Sequence, residues 1–267
     1  MLSLHTADLP SSAADLQRVL NDALGRIFIS EFNPVTVCDH SYPRLHGLDV
    51  LLDGAQLHPE PPRPPIITGE ISPALEIDQL TVNASPLSVG PVALSLSLSA
   101  TQVQLGRSKD SKEQIVLSLE RAAEGNINIS MRQSDLEALV TKLARSQASK
   151  QGITIDDVQL RLRQESAHSL AVEVRLRARK LFLAASLRVT GQLDLDDQLN
   201  LKISGLTCTG DGGIAGMACG ILKPYLEKFD GREFPLMPLP LKGISLRDVR
   251  LTVDDNLTVT AEFGSVS

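Results

Sequence analysis

Hydrophobic and polar positions change period abruptly in the middle of this chain. Leu136, Leu139, Val140 and Leu143 recur at helical spacing, with Asp135, Glu137, Lys142 and Arg145 off that stripe. Ser134 and Glu137 stand at capping-box spacing, which predicts that a helix opens at Ser134. After Gly152 the period drops to two, through Ile153 and Ile155, then Val158, Leu160 and Leu162, then Leu170, Val172, Val174 and Leu176. A further run, Leu181, Leu183, Ala185, Leu187, Val189, Leu193 and Leu195, holds one phase through Gly191. At about 3.3 Å per residue that run would reach roughly 50 Å, well beyond an ordinary strand. Strands this long must twist and coil, and a single apolar face predicts a sheet that wraps something.

The flanks follow the same logic. Leu9, Ala13, Leu16, Val19, Leu20, Ala23 and Ile27 follow helical spacing after Ser11 and Ser12. Asp8, Asp15 and Asp22 make the polar face of that helix acidic, so it is expected to pack on the protein and not on a membrane. Residues 26–57 read as short strands with turns at Asn33-Pro34 and Asp53-Gly54. The run from His58 to Pro65 is proline-dense and reads as a stiff connector, with a PxxP match inside it. Strands are expected at Leu75–Val82 and along Val92, Leu94, Leu96 and Leu98, with a bulge where the phase slips before Val103 and Leu105. Ile115–Leu119 and Ile127–Met131 follow, with Glu124-Gly125 as the turn between them. Asp196-Asp197-Gln198 reads as a hairpin turn into Leu199, Leu201 and Ile203. A second helix carries Ile214, Met217, Ala218, Ile221, Leu222, Tyr225 and Phe229, and Pro224 is expected to kink or divide it. Phe234–Leu241 is extended, and a closing hairpin joins Ile244–Val253 to Leu257–Phe263.

The segments 153–162 and 244–253 share I-x-[IL]-x-D-V-x-L-x-[LV], and Leu75–Val82 is a looser echo. Each slips phase between its two apolar pairs, which predicts a bulge that curves the sheet at repeated places. Duplication and convergent strand chemistry both account for the likeness.

With 267 residues, 42% apolar and 22% charged, the chain has a globular composition and can bury one large or two modest cores. Aromatic residues are 3% and Trp is absent, so the interior is aliphatic. The expected organisation is residues 1–65, a helix and short strands with the proline connector, followed by 66–267, a curved-sheet and helix portion, the two forming one continuous structural unit. A net charge of −6 argues against nucleic acid as a partner. Met1–Asp22 lacks a basic start before an apolar core and does not read as a secretory signal. A cytoplasmic place, or one peripheral to a membrane, is expected, with an extracytoplasmic place left open if a signal has been removed. Cys38, Cys208 and Cys219 show no CxxC spacing and read as buried or free thiols; a Cys208–Cys219 disulfide would call for an oxidising compartment.

Few residues carry recognisable chemistry. Gly210, Gly212 and Ala215 match a dinucleotide fingerprint in spacing, but the flanking strands read as antiparallel, so the glycines are taken as a helix-entry loop. Cys38, Asp39, His40 and His46 cluster near His58, at a spacing that fits no zinc pattern, and no metal or other cofactor is expected. GxSxG, HExxH and P-loop motifs are lacking, and no enzyme is expected. Arg161, Arg163, Arg175, Arg177 and Arg179 all occupy the phase opposite the apolar residues. Paired as a hairpin, they would share one surface near Lys180 and Arg188, opposed by Glu165 and Glu173. Such a face would hold anionic headgroups or approach an anionic leaflet, or be an ordinary solvated surface.

The strand and helix of ISMRQSDLEALV (129–140), the alternating stretch 172–206 and the terminal FPLMPLPLKGISLRDVRLTVDDNLTVTAEFG (234–264) resemble the tubular lipid-binding (TULIP-like) superfamily. The likeness is to its bacterial LmeA-like phospholipid-binding family, and it covers roughly residues 66–264. It implies an α+β fold, a long, highly curved antiparallel β-sheet wrapped around amphipathic helices, with an acyl-chain groove between them. The pattern assigns no individual functional residue.

Together these readings lead to a non-enzymatic protein that binds lipid or another apolar ligand. The expected lining is Leu94, Leu96, Leu98, Leu136, Leu139, Val140, Leu143, Leu183, Leu187 and Val189. The other expectations are a structural or protein-interaction module with a fully packed interior, and a peripheral membrane tether using the arginine face.

Overall fold

The structure, a computed structural model, describes residues 1–150, 152–180, 183–196, 200–212, 215–235 and 244–265. Expectations for Leu181, the Asp197-Gln198 turn, Ile214 and residues 236–241 lie outside these. Strand makes up 58% of the chain, with three helices among the described residues and antiparallel sheet curled strongly into a half-barrel, an α+β fold.

Two units divide the chain, Met1–Ser130 with Pro238–Asp248 and Thr260–Ser267, and Met131–Met237 with Val249–Val259. In the first, β1 (Leu2–Ser3), α1 (Ala13–Gly25), β2 (Phe28–Ile29), β3 (Val35–Ser41), β4 (Arg44–Leu51) and β5 (Gln56–Leu57) come before two long strands. These are β6 (Ser72–Val89) and β7 (Val92–Lys109), each of 18 residues. At about 3.3 Å per residue they span about 60 Å, so the longest ribbons lie here and not in the 181–195 run. The strands β8 (Ile115–Arg121) and β9 (Glu124–Arg132) follow.

The expected boundary at 65/66 is not where the chain divides. Both β4 and β5 pair in parallel with β6, which ties the residues before the proline run into the sheet after it. The connector therefore lies inside one unit. Its residues 58–66 carry no strand.

The helix α1 forms as its spacing predicts. The Ser12 hydroxyl caps it by accepting from the Asp15 backbone N–H at 3.1 Å, and Leu16, Val19, Leu20 and Ala23 are buried. Leu16, Val19 and Leu20 join Val35, Leu45, Leu75, Ile77 and Val103 in an aliphatic core. Gln17 and Asn21, one helical turn apart, accept hydrogen bonds from the Val37 and Val35 backbone N–H groups at 3.0 and 2.9 Å. The edge strand β3 is thereby covered by helix side chains.

The slip before Val103 is a real irregularity. Gln102 has φ of 48°, and the β7–β8 register shifts between Gln104 and Leu105. Glu124-Gly125, expected as a turn, is instead the start of β9. The glycine is needed for close approach, since a Cβ there would sit 2.3 Å from the Phe263 ring and 2.8 Å from the Ser99 carbonyl oxygen.

In the second unit α2 (Gln133–Ser149) leads into β10 (Thr154–Ser166), β11 (Ser169–Lys180), β12 (Leu183–Leu195) and β13 (Asn200–Asp211). After α3 (Ala215–Phe229) comes β14 (Glu233–Pro235), and these five strands form an antiparallel sheet in the order β10-β11-β12-β13-β14. The chain closes with the predicted hairpin, β15 (Ile244–Val253) and β16 (Asn256–Ser265). Pro224 lies inside α3 without dividing it.

The expected bulge is present in one of the three related segments, and a second has a backbone irregularity at the matching residue. The β10–β11 register shifts between Ile155 and Asp157, and Asp248, which aligns with Asp157, has φ of 50°. In the third segment the β6–β7 register runs unbroken from Leu75 to Leu80, and its shifts fall outside at Pro73/Leu75 and Ala84/Leu87. Leu75–Val82 therefore shares the residues of the pattern without its kink.

Candidate functional site

The apolar face of the five-stranded sheet is built in rungs. Val158, Leu176 and Leu187 are in register, as are Leu160, Val174, Val189 and Cys208, and then Leu162, Val172 and Gly191. Alternation places all of them on one side. Two helices share this face, α2 over β10 and α3 over β12 and β13. Val140 and Ala144 from α2 meet the same cluster as Ala215, Ala218 and Leu222 from α3.

The start of α2 differs from the expected capping box. The helix begins at Gln133, whose backbone N–H donates to the Asp255 carbonyl oxygen at 3.1 Å, so the β15–β16 turn supplies the cap. Ser134 thus lies in the first turn. Glu137 reaches sideways and accepts from the Leu160 backbone N–H at 2.8 Å, while the Gln133 side-chain amide donates to the Leu160 carbonyl at 3.1 Å. Because β10 is an edge strand, these two side chains supply the partners that a further strand would have supplied.

Replacing Glu137 by alanine orphans a nearly buried N–H on Leu160, so a loss of about 1–3 kcal/mol in urea unfolding is expected. Glu137→Gln, which keeps an acceptor oxygen, should recover most of it. Equal losses in the two variants would rule the contact out.

Held this way, α2 leaves its apolar stripe open. Leu136, Leu139 and Val140 are half-buried, Leu143 is 55% exposed, and no residue of the helix is fully buried. In α3 only Ala215 is buried, while Met217, Ile221, Tyr225 and Phe229 form a four-residue stripe exposed at 72%, 37%, 48% and 42%. Their helical spacing was visible in the sequence; their exposure was not. Val172, Val174, Val189 and Leu193 on the same side of the sheet are half-buried too.

The expected lining is split between the units. Val140, Leu187 and Val189 pack together on this face, and Leu136, Leu139 and Leu143 lie on α2. The backbone of Leu183 is in β12, and its side chain lies outside the described residues. In the first unit Leu94 and Leu96 pack on Leu52, Ala55, Ala84 and Leu87, and Leu98 packs on the main core.

Two cysteines also depart from expectation. Cys208 and Cys219 form a disulfide with Cα atoms 5.5 Å apart, and they are not free thiols. Alternation turns Cys208 of β13 toward the helix-covered face, and Cys219 sits one turn after the buried Ala215. Cys38 is free and exposed. The glycine loop enters α3 from an antiparallel strand, with the Ala215 N–H donating to the Gly212 carbonyl at 3.1 Å. A helix-entry loop was the expectation.

On the opposite face the five arginines share the β10–β11 hairpin. Their charge is more strongly opposed than expected. Arg163 pairs with Glu165 at 2.6 Å, Arg175 and Arg188 with Glu173 at 2.5 and 3.7 Å, and Arg179 with Asp156 at 2.6 Å. The Arg179 hydrogen bonds hold the Asp156 carboxyl below the usual carboxylate range, and Asp156 raises Arg179 in return. Arg161 and Arg177 make no ion pair among the described residues. A cavity of about 410 Å³ opens here, lined by Asp157, Gln159, Arg175, Arg177, Ser186, Arg188, Thr209 and Asp211.

No helix among the described residues is long and apolar enough to cross a membrane. In comparisons with known proteins, no family model, curated protein or solved structure matches this chain.

Proposed function

We propose that the second unit binds an apolar ligand, a lipid acyl chain, without catalysis, on the apolar face of the five-stranded sheet between α2 and α3. One observation carries this reading: the apolar stripes of both helices stay half exposed beside the half-buried valine rungs. A ligand chain covering them would gain about 0.8 kcal/mol per buried CH₂ with no specific polar contact. The resemblance to the tubular lipid-binding superfamily supports the same ligand class. Arg161 and Arg177 on the far face are the arginines left free for an anionic surface. The disulfide favours an oxidising compartment over the cytoplasm.

The test combines lipid extraction and native mass spectrometry with displacement of a fluorescent fatty acid. Co-purified lipid and saturable binding are expected. Leu143→Glu, at an exposed position, should weaken binding by about tenfold or more at unchanged unfolding midpoint. Absence of both lipid and fatty-acid binding, or a Leu143→Glu protein that binds as well as wild type, would overturn the proposal.

A second reading, a module that docks on another protein, is favoured by the Met217, Ile221, Tyr225 and Phe229 stripe, whose spacing of four suits a helix-on-helix contact.

A further inference from the structure

We infer that the first unit carries a binding site for a borderline divalent cation of the Zn²⁺ class, formed by His40, His46 and Asp78. The three residues come from neighbouring strands β3, β4 and β6. His46 lies between Leu45 and Gly47, which pair with Ile77 and Gln79 on either side of Asp78, so His46 and Asp78 are cross-strand neighbours. His40 reaches them through an irregularity. The β3–β4 register shifts between Cys38 and Asp39 and again between Asp39 and Ser41. Such double disruption re-aims a side chain that regular pleating would send elsewhere.

The distances favour ligation over hydrogen bonding. Asp78 Oδ2 lies 3.5 Å from His40 Nε2 and 3.5 Å from His46 Nδ1. That is longer than the 2.7–3.2 Å usual for a hydrogen bond to nitrogen. It is close to the edge of a tetrahedron with bonds of about 2.0–2.1 Å, which is roughly 3.3 Å. All three ligand atoms lie within 4.8 Å of one another. The imidazole rings meet edge to face with centroids 5.0 Å apart, and each brings one nitrogen to the same Asp78 carboxylate oxygen. Two imidazoles and one carboxylate suit zinc and its neighbours better than calcium or magnesium, which take oxygen ligands. With side chains 59%, 59% and 50% exposed, a fourth position stays open to water or to another ligand. Sequence spacing missed the site because Asp78 lies far along the chain, brought in by the parallel β4–β6 pairing.

The test is equilibrium dialysis of Zn²⁺ against untagged, chelator-stripped protein carrying Cys38→Ser, which removes the exposed thiol as a competing ligand. One equivalent per chain is expected. His46→Ala and Asp78→Asn, each made in that background, should weaken binding by about tenfold or more while the unfolding midpoint without metal stays put. Failure of the Cys38→Ser protein to bind Zn²⁺, or undiminished binding in both variants, would overturn the assignment.

Discussion

Replacing Leu16 by alanine is expected to destabilise the first unit by about 2–5 kcal/mol. The side chain has no exposure, and the core cluster it belongs to draws on separate elements: Val35 of β3, Leu45 of β4, Ile77 of β6 and Val103 of β7. A cavity at that junction cannot be filled by one residue shifting, because Leu45, Ile77 and Val103 lie on strands paired on both sides. The same helix supplies Gln17 and Asn21 to the edge of β3, so loosening it also strips two backbone N–H groups of their partners. Urea unfolding followed by far-ultraviolet circular dichroism should show a lower midpoint at an unchanged slope. Phe32→Ala, at a residue 76% exposed, should stay within about 0.5 kcal/mol of wild type. A Leu16→Ala protein as stable as Phe32→Ala would mean that α1 contributes nothing to the core.

That helix was legible because its sequence carries every cue at once: a cap, an apolar stripe and an acidic polar face. The long alternating strands were legible for the same reason, since a period of two over more than ten residues admits no other regular structure. Pairing partners were not, because alternation says which face a residue takes and nothing about its neighbour. The parallel joining of β4 and β5 to β6 is the clearest case, and it moved the division of the chain from the proline run to residue 130.

Edge protection was equally hidden. Gln17 and Asn21 on α1, and Gln133 and Glu137 on α2, are pairs one turn apart that bond the backbone of an edge strand. Read locally, they are polar residues on a polar face, and Glu137 even fits a capping box. Only the sheet order gives them their task. The disulfide escaped for a related reason: a separation of 11 residues spans a strand end and a helix start, and the sequence does not say how they fold back.

Removing that bond, by Cys208→Ser with Cys219→Ser, is expected to release α3 selectively. Closing a loop this short in the unfolded chain accounts for about 3 kcal/mol of stability in the chain-entropy view. Other anchors of α3 are few, since Ala215 is its one buried residue and Ala218 and Leu222 are only partly covered. The helix α2 instead keeps its bonds to Leu160, which the substitutions leave untouched. Hydrogen exchange should therefore speed up by roughly 100-fold for the α3 amides, with those of β10 and β11 little changed. Fatty-acid binding should weaken in parallel, because α3 is one wall of the proposed groove. Unchanged α3 exchange would show that side-chain packing alone holds the helix. A uniform rise across the unit would show instead that sheet and helix open as one body.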